Sequence, residues 1–251
     1  MIITIAAQKG GAGKTTTAAA LSQAIRHAKK RSKVLLVDTD GQASASMIYG
    51  ADDMPGPTLY DVIKGTCKAS EAIRHTEAGD ILPATVELYG LDVELQKRPG
   101  RDFILSQALK EIQDDYTHII IDTAPGVGTM LIQSLTAADA VIIPTECDAQ
   151  AFHGVGDILE TIQQVRSYCN EGLKISGVLL IRYNSRSVIS RQFEEILTDL
   201  AKDYDTKVLR TRIRQGVSIK EAQALRRSLY DYAPKSNPAA DYMALIKELK
   251  L

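Results

Sequence analysis

The feature that most constrains this chain is a glycine-rich segment near its start, QKGGAGKTTT at residues 8–17. It follows the short apolar run of residues 2–6 and leads into a helix-forming stretch. Its three glycines lack a Cβ, so the backbone can adopt positive φ and turn successive N–H groups toward an anion. A helix beginning at Lys14 adds unpaired N–H groups and the positive end of its dipole. The segment therefore predicts a strand, a loop that binds a polyphosphate, and a helix.

The side chains of this loop predict what it binds. Lys14 can reach the outer phosphates and the Thr15 hydroxyl can ligate Mg²⁺. The strict pattern G-x-x-x-x-G-K-[ST] misses the loop because Gln8 stands where the first glycine belongs, and a second lysine, Lys9, opens it. A glycine-rich turn without a ligand is the alternative. The predicted nucleotide contacts from the loop are Lys9, Gly10, Gly11, Ala12, Gly13, Lys14, Thr15 and Thr16.

Composition excludes several other classes of protein. Lys and Arg total 30 against 31 Asp and Glu, so any contact with a polyanion must come from a local patch. Cys67, Cys147 and Cys169 are far apart and form no C-x-x-C pair, which argues against a zinc site or a disulfide framework. No apolar run is long enough to span a bilayer, and no leader precedes the first strand. These features predict a cytoplasmic protein.

The rest of the chain repeats the strand and helix pattern of its beginning. Short Ile- and Val-rich runs alternate with segments of helical period, which indicates βαβ units. Their continuous hydrophobicity predicts a single α/β domain over residues 1–251, with a doubly wound, mostly parallel sheet covered by helices on both faces. The predicted strands lie at residues 2–6, 34–37, 81–82, 119–121, 140–143, 175–181 and 208–209.

Two further motifs follow strands, where ligands of such sheets bind. VLLVDTD at residues 34–40 and IIIDTAPG at residues 119–126 come after the glycine-rich loop in that order. A carboxylate at Asp122 can hold a Mg²⁺-bound water or the Thr15 hydroxyl. Together with the two lysines of the loop, these motifs resemble the ParA and MinD family of P-loop ATPases, whose phosphate loop is a deviant Walker A motif. The resemblance extends over residues 2–249 and implies ATP and Mg²⁺.

The resemblance also assigns a role at the end of the second strand. Asp38 resembles the aspartate that positions or deprotonates the attacking water, with a water-mediated contact to Mg²⁺, so Lys9, Lys14 and Asp38 are the expected catalytic residues. The alternative for Asp38 is a carboxylate that caps the next turn. Gly41 replaces the family's usual proline, and a more mobile loop is expected there.

Contacts with the base and with DNA are implied near the other end of the chain. Asn184 lies where relatives touch the adenine base, although an Asn at a strand end is also a common turn residue. Arg210, Arg212 and Arg214 alternate, so an extended segment would place them on one side. With Arg186 they form an expected DNA-binding patch, whose alternative is a solvated basic face.

Taken together, the resemblance implies a small partition ATPase of the ParA type. ATP and Mg²⁺ would close a homodimer in which Lys9 of each subunit reaches the phosphates of the other. The dimer would bind DNA nonspecifically, associate with the nucleoid, and release DNA after hydrolysis stimulated by a ParB-like partner. MinD-type members carry a further basic amphipathic segment that binds membrane; none is present here, so no membrane partner is expected.

Two other functions stay open on the sequence alone. One is an enzyme that uses the same fold to phosphorylate or ligate a small substrate, as dethiobiotin synthetase relatives do. The other is a family member that positions a protein cargo, with ATP only setting its dimer state. Stimulation of turnover by a small substrate would indicate the first, and liposome binding without DNA retention would indicate the second.

Overall fold

The computed structural model describes residues 1–29, 31–148 and 151–251, and one eight-stranded sheet runs through them. The strands are β1 (Ile2–Ile5), β2 (Val34–Asp38), β3 (Arg74–His75), β4 (Asp80–Leu82), β5 (His118–Asp122), β6 (Ala140–Thr145), β7 (Lys174–Tyr183) and β8 (Val208–Arg214). Their order across the sheet is β3-β4-β2-β5-β1-β6-β7-β8. Only the pair of β3 and β4 is antiparallel among the described pairs. The prediction of a mostly parallel sheet is confirmed.

Helices cover both faces of this sheet. They are α1 (Lys14–Ala28), α2 (Ser44–Tyr49), α3 (Leu59–Lys64), α4 (Ala69–Ala72), α5 (Leu91–Glu94), α6 (Ile104–Lys110), α7 (Thr129–Ala137), α8 (Ala151–Tyr168), α9 (Val188–Asp203), α10 (Val217–Ala224), α11 (Leu229–Tyr232) and α12 (Asn237–Leu249). Three 3₁₀ helices lie at Val86–Gly90, Arg101–Phe103 and Gln113–Asp115. Helices α3 to α9 pack into one hydrophobic core, and α1, α2 and α10 to α12 pack into the other. The doubly wound arrangement is therefore confirmed as well.

The central strands explain why both faces need helices. In β1 the side chains of Ile3 and Ile5 enter one core and that of Ile2 enters the other, because successive side chains of a strand point to opposite faces. Strands β2 and β5 lie on one side of β1, and β6, β7 and β8 lie on the other. The strand order thus reverses at β1, which places a ligand crevice at its carboxyl end.

Helix α12 packs against α1 in the hydrophobic core that these two helices share. Tyr242 on α12 is 1% exposed, and its hydroxyl lies 3.2 Å from the Thr17 hydroxyl on α1. Helix α12 also buries Leu245 and Ile246. None of the helices in the described ranges combines the length and apolar character that a membrane span requires.

Candidate nucleotide site

The glycine-rich loop connects β1 directly to α1, as predicted. Gly11 has φ of 77° and Gly13 has φ of 72°, a conformation that L side chains rarely adopt. Gly13 is the residue before α1, and a Cβ on it would collide with the side chain of Ile181 on β7. A Cβ on Gly10 or Gly11 would meet no atom within 4 Å, so the space beside these two residues is open. The loop has the shape of an anion cradle.

The two lysines of the loop point to different partners. Lys14 is 6% exposed and donates to the carbonyl oxygen of Lys9 at 3.2 Å, which closes the loop on itself. Burial lowers the pKa of Lys14, and the carboxylates of Asp122 and Asp40 oppose this shift. Lys9 instead reaches outward and pairs with Asp148, with Nζ and Oδ2 2.6 Å apart. Lys14 therefore belongs to the cradle, and Lys9 belongs to its rim.

Backbone hydrogen bonds hold the ends of the three central strands together. Thr39 donates from its N–H and its hydroxyl to the carbonyl of Asp122, at 3.0 and 2.7 Å. The Thr123 hydroxyl donates to the carbonyl of Ile5 at 2.9 Å, and the N–H of Gly126 donates to Gln8 at 3.2 Å. These contacts connect the loops after β2 and β5 to the phosphate loop, so the three motifs form one site.

The environment of the Asp122 carboxylate suits a bound cation. It is 0% exposed, and neither carboxylate oxygen accepts a hydrogen bond from any residue that the structure describes. Burial raises its pKa well above the ordinary value, the charge of Asp38 raises it further, and the nearby Thr15 hydroxyl and Lys14 oppose the rise. A Mg²⁺ ion fits this orphaned carboxylate beside a hydroxyl, because Mg²⁺ takes oxygen ligands and usually completes its shell with phosphates and water. In the described ranges no cluster of His, Cys, Asp and Glu suffices to hold a metal alone, so such an ion depends on the phosphates.

Asp38 occupies a structural position at the end of β2. Its Oδ2 accepts from the N–H and the hydroxyl of Ser46, both at 2.8 Å, and its Oδ1 accepts from the N–H of Asp40 at 3.1 Å. Burial raises the pKa of Asp38 to about 6 against the effect of these hydrogen bonds. The carboxylate ties β2 to the first turn of α2, which is the capping alternative stated above. Its expected contact with water and Mg²⁺ stays a prediction.

The site contains another carboxylate near Asp38, that of Asp40, to which the sequence alone had assigned no role. Asp40 is 7% exposed, and it is one of two acids whose charge acts on Lys14. Its Oδ1 accepts from the N–H of Gln42 at 2.9 Å and from the hydroxyl of Tyr89 at 3.3 Å. Asp40 could have been found from the sequence, because it is the second acid of a D-x-D pattern with Asp38. The sequence offered no signal for Tyr89, which is distant in the chain.

A cavity of about 430 Å³ adjoins the phosphate loop at the start of α1. Its walls come from the ends of β7 and β8 and from α10, with Gly13 and Thr16 at its inner end. This volume is in the range of small-ligand pockets. Arg182 lines it with φ of 50°, a strained conformation for a residue with a side chain.

The contact between Asn184 and the base stays a prediction. Asn184 is exposed and is absent from the lining of the cavity. Its Oδ1 accepts from the N–H of Arg186 at 3.0 Å, so the side chain stabilises the turn between β7 and α9. The residues that line the cavity in its place include Ile181, Arg182, Ile213, Gln215 and Gln223.

The prediction that three alternating arginines share one side is wrong. From Val178 to Leu180 strand β7 advances by two residues while β8 advances by four, from Val208 to Arg212. A second shift of register lies between Ile181 and Tyr183, so regular alternation is lost along this pair of strands. Arg212 pairs with Glu194 on α9, whereas Arg214 pairs with Asp241 on α12 at 2.6 Å. These two helices lie on opposite faces of the sheet. Arg210 and Arg186 are exposed.

The fold, the phosphate loop and the orphaned aspartate define the class of the protein, a nucleotide-binding protein of the P-loop type. Comparisons with known proteins specify it further. A protein-family model described as an AAA domain matches residues 1–175, and one for the 4Fe-4S iron sulfur cluster binding proteins of the NifH/frxC family matches residues 112–250.

Curated relatives align over almost the whole chain. The sporulation initiation inhibitor protein Soj of Bacillus subtilis is 35% identical over 99% of this chain and 97% of its own length. The chromosome partitioning protein ParA of Caulobacter vibrioides is 34% identical over 99% of this chain and 93% of its own. Among solved structures, cobyrinic acid a,c-diamide synthase from Mycobacterium smegmatis with bound ADP and magnesium has a TM-score of 0.83 and 33% identity, covering 99% of this chain and 95% of that one. The chain belongs to the ParA and MinD family of P-loop ATPases.

The unpaired carboxylate of Asp122 leads to a test of stability in the absence of nucleotide. Between pH 4 and its raised pKa, the folded chain holds a proton that the unfolded chain has lost, so the free energy of unfolding falls as the pH rises. Asp122→Asn removes this charge. We expect the variant to be about 1–3 kcal/mol more stable than the parent at pH 7.5, and the gain to shrink toward pH 4.

Urea unfolding without nucleotide at both pH values measures this effect. The matched control is Asp114→Asn, which removes an exposed carboxylate and should change stability little. The same Asp122 variant should bind Mg²⁺-ADP at least about tenfold more weakly, since we expect the carboxylate to hold Mg²⁺ through a bound water beside Thr15. A loss of stability at pH 7.5 would contradict the interpretation of Asp122 as a costly buried charge.

Proposed function

We propose that this protein is an ATP-driven switch for DNA partition, which dimerises around ATP and Mg²⁺ and is reset by hydrolysis. The observation that carries the proposal is the two-lysine phosphate loop, within a chain that matches Soj over nearly its full length. Lys14 lies inside the cradle and Lys9 lies at its rim, where a second subunit can approach. Bound ADP and magnesium in the related synthase support the same ligands here.

In this mechanism the chain's own residues perform four tasks. The N–H groups of residues 10–15 and the Lys14 ammonium bind the phosphates. Thr15 and Asp122 orient Mg²⁺, which when bound neutralises charge on the phosphate oxygens. The cavity beside Thr16 takes the base. Lys9 of the partner subunit adds a second positive charge at the phosphoryl group that is transferred.

A further task, orienting the attacking water, we assign to Asp40 in preference to Asp38. Each oxygen of Asp38 already accepts at least one hydrogen bond in a fully buried position. Asp40 uses Oδ1 for its two contacts, with Gln42 and Tyr89, and its charge acts on Lys14 at the phosphate site. A carboxylate held by one oxygen leaves the other for water.

The protein would be cytoplasmic. Its ATP dimer would bind DNA nonspecifically and so associate with the nucleoid. Arg186 and Arg210 are the better candidates for phosphate contacts, because both are exposed and neither forms an ion pair with the residues that the structure describes. Arg212 and Arg214 are held by Glu194 and Asp241, so their charge is partly neutralised. Dimerisation doubles the number of free arginines, which favours binding to a polyanion. A ParB-like partner would stimulate hydrolysis and release.

Retention on nonspecific duplex DNA across a salt series tests the proposal. We expect salt-sensitive retention with ATP, little with ADP, and persistent retention for Asp40→Ala with ATP. Arg186→Ala and Arg210→Ala should each reduce the salt slope by about one per subunit. Lys110→Ala removes an exposed charge from α6 and should leave the slope unchanged. Absence of retention in every state would remove the partition mechanism.

The small-substrate enzyme remains the second candidate, favoured by the likeness to the cobyrinic acid a,c-diamide synthase structure. It requires a substrate site beside the phosphates. A groove of about 460 Å³ lies between α5 and the start of α7, with Arg101 and Asp102 in its wall. Stimulation of ATP turnover by small carboxylic acids without DNA retention would support this candidate. Positioning of a protein cargo would show as ATP-dependent dimers that neither retain DNA nor respond to such acids.

A further inference from the structure

We propose that Tyr89 is a positioning residue for hydrolysis, which holds the Asp40 carboxylate over the phosphate site through its hydroxyl and its ring. The inference rests on the role proposed for Asp40 and adds a regulator of that same group. Tyr89 belongs to the 3₁₀ helix Val86–Gly90, far in sequence from the loop after β2. Its ring is 51% exposed, yet its hydroxyl makes two contacts to that loop.

The two contacts form a directed chain of hydrogen bonds. The side-chain amide of Gln42 donates to the Tyr89 hydroxyl at 2.7 Å, and that hydroxyl donates to Oδ1 of Asp40 at 3.3 Å. Because the hydroxyl already accepts from Gln42, its proton is directed to the carboxylate. Oδ1 also accepts the N–H of Gln42. One oxygen of Asp40 is thus fixed on two sides, and the carboxylate keeps one orientation.

Gly41 leaves the space that the ring of Tyr89 requires. A Cβ on Gly41 would lie 2.8, 2.9 and 3.0 Å from three ring carbons of Tyr89. Gly41 is itself buried, and its φ lies outside the left-handed region, so space and not backbone conformation accounts for glycine here. Any side chain at position 41 would push the exposed ring outward and break its hydroxyl contacts. The contacts of the Tyr89 hydroxyl therefore depend on glycine at position 41.

The residue before Tyr89 is buried in the core and holds this segment in place. Leu88 next to it is 4% exposed and packs in the core beneath α3 to α9. A small cavity of about 120 Å³ between Tyr89, Gly41 and the loop after β5 separates the ring from Pro125 and Gly126. Tyr89 thus stands between the loops after β2 and β5, which both border the phosphates.

The test compares Tyr89→Phe with the parent, since this change removes the hydroxyl and retains the ring. We expect kcat for ATP hydrolysis to fall about fivefold to tenfold, with KM for ATP within about twofold, because the phosphate contacts are untouched. Without nucleotide, the amide of Gln42 should exchange its hydrogen at least about fivefold faster. Tyr168→Phe, at an 85% exposed position, is the matched control and should change none of these values.

A second pair of variants examines the role of Gly41. Gly41→Ala should lower kcat and accelerate exchange at Gln42 about as much as Tyr89→Ala, since both remove the same contact. In the double variant Gly41→Ala with Tyr89→Ala, the losses should not multiply. Multiplying losses would show two independent sites and overturn the paired arrangement.

Failure of this inference can be told from failure of the proposed function. If Asp40→Asn lowers kcat but Tyr89→Phe alters neither kcat nor exchange at Gln42, only the positioning role is overturned. If Asp40→Asn leaves kcat unchanged, the assignment of Asp40 falls and the role of Tyr89 in hydrolysis falls with it. A change in KM without a change in kcat would also overturn the inference, since it would indicate a binding contact.

Discussion

Asp40→Asn should lower kcat for ATP hydrolysis by about 100-fold or more while ATP still binds. A carboxylate that orients or deprotonates water contributes roughly 10²- to 10⁴-fold, and the amide has the same shape without the charge or basicity. The variant should accumulate as the ATP dimer, because hydrolysis is the step that resets it. Single-turnover hydrolysis and equilibrium binding of ATP measure the two effects separately.

Asp38→Ala is the comparison that distinguishes the two aspartates. It removes three hydrogen bonds from a fully buried position and detaches α2 from β2, so it should lower the free energy of unfolding by about 2–4 kcal/mol. Its kcat, measured on folded protein below the unfolding temperature, should fall less than tenfold. The reverse result, a stable Asp38→Ala without hydrolysis and an active Asp40→Asn, would return the catalytic role to Asp38.

Lys9→Ala should weaken ATP-dependent dimerisation by about 100-fold or more and reduce hydrolysis accordingly. Each dimer would lose two charge-assisted contacts between Lys9 and the phosphates of the other subunit. A hydrogen bond to a charged group is worth about 1.5–3 kcal/mol, so two losses correspond to roughly 3–6 kcal/mol. Sedimentation velocity with ATP over a range of protein concentrations measures the dimer directly.

The ion pair of Lys9 with Asp148 does not oppose this prediction. Lys9 is 36% exposed and Asp148 is 39% exposed, and a pair of that kind contributes about 1 kcal/mol or less. We therefore expect the phosphates of a second subunit to displace Asp148 from Lys9. Asp148→Asn should strengthen dimerisation by a few fold at most, and Lys97→Ala, an exposed lysine on the segment after α5, should leave it unchanged. A Lys9→Ala variant that dimerises like the parent would refute the contact between subunits.

Local patterns were sufficient for the fold and for the phosphate cradle. Continuous apolar runs can form only strands buried on both faces, and the glycines at positions 11 and 13 adopt the positive φ that their spacing suggested. The positions of Lys14 and Asp122 were predictable from the same local patterns. Lys14 begins α1 after the loop that leaves β1, Asp122 is the last residue of β5, and the ends of neighbouring parallel strands meet at one edge of the sheet.

The roles of the remaining residues depended on contacts between distant segments. Arg212 and Arg214 pair with helices on opposite faces of the sheet, and no pattern of single residues encodes the shifts of register between β7 and β8 that accompany this. Asn184 lies one residue beyond β7, and its side chain stabilises its own turn and does not line the cavity beside the phosphate loop.

The sequence by itself determined that this chain forms a parallel sheet around a two-lysine phosphate loop, because strand burial and glycine conformation are local properties. Only the tertiary structure decided which contacts each of the two aspartates makes. The hydrogen bonds to Ser46 occupy Asp38, whereas Tyr89 contacts Asp40 from 49 residues away in the chain. Which partner satisfies a buried carboxylate is settled by packing across the fold, where burial makes every unpaired oxygen costly.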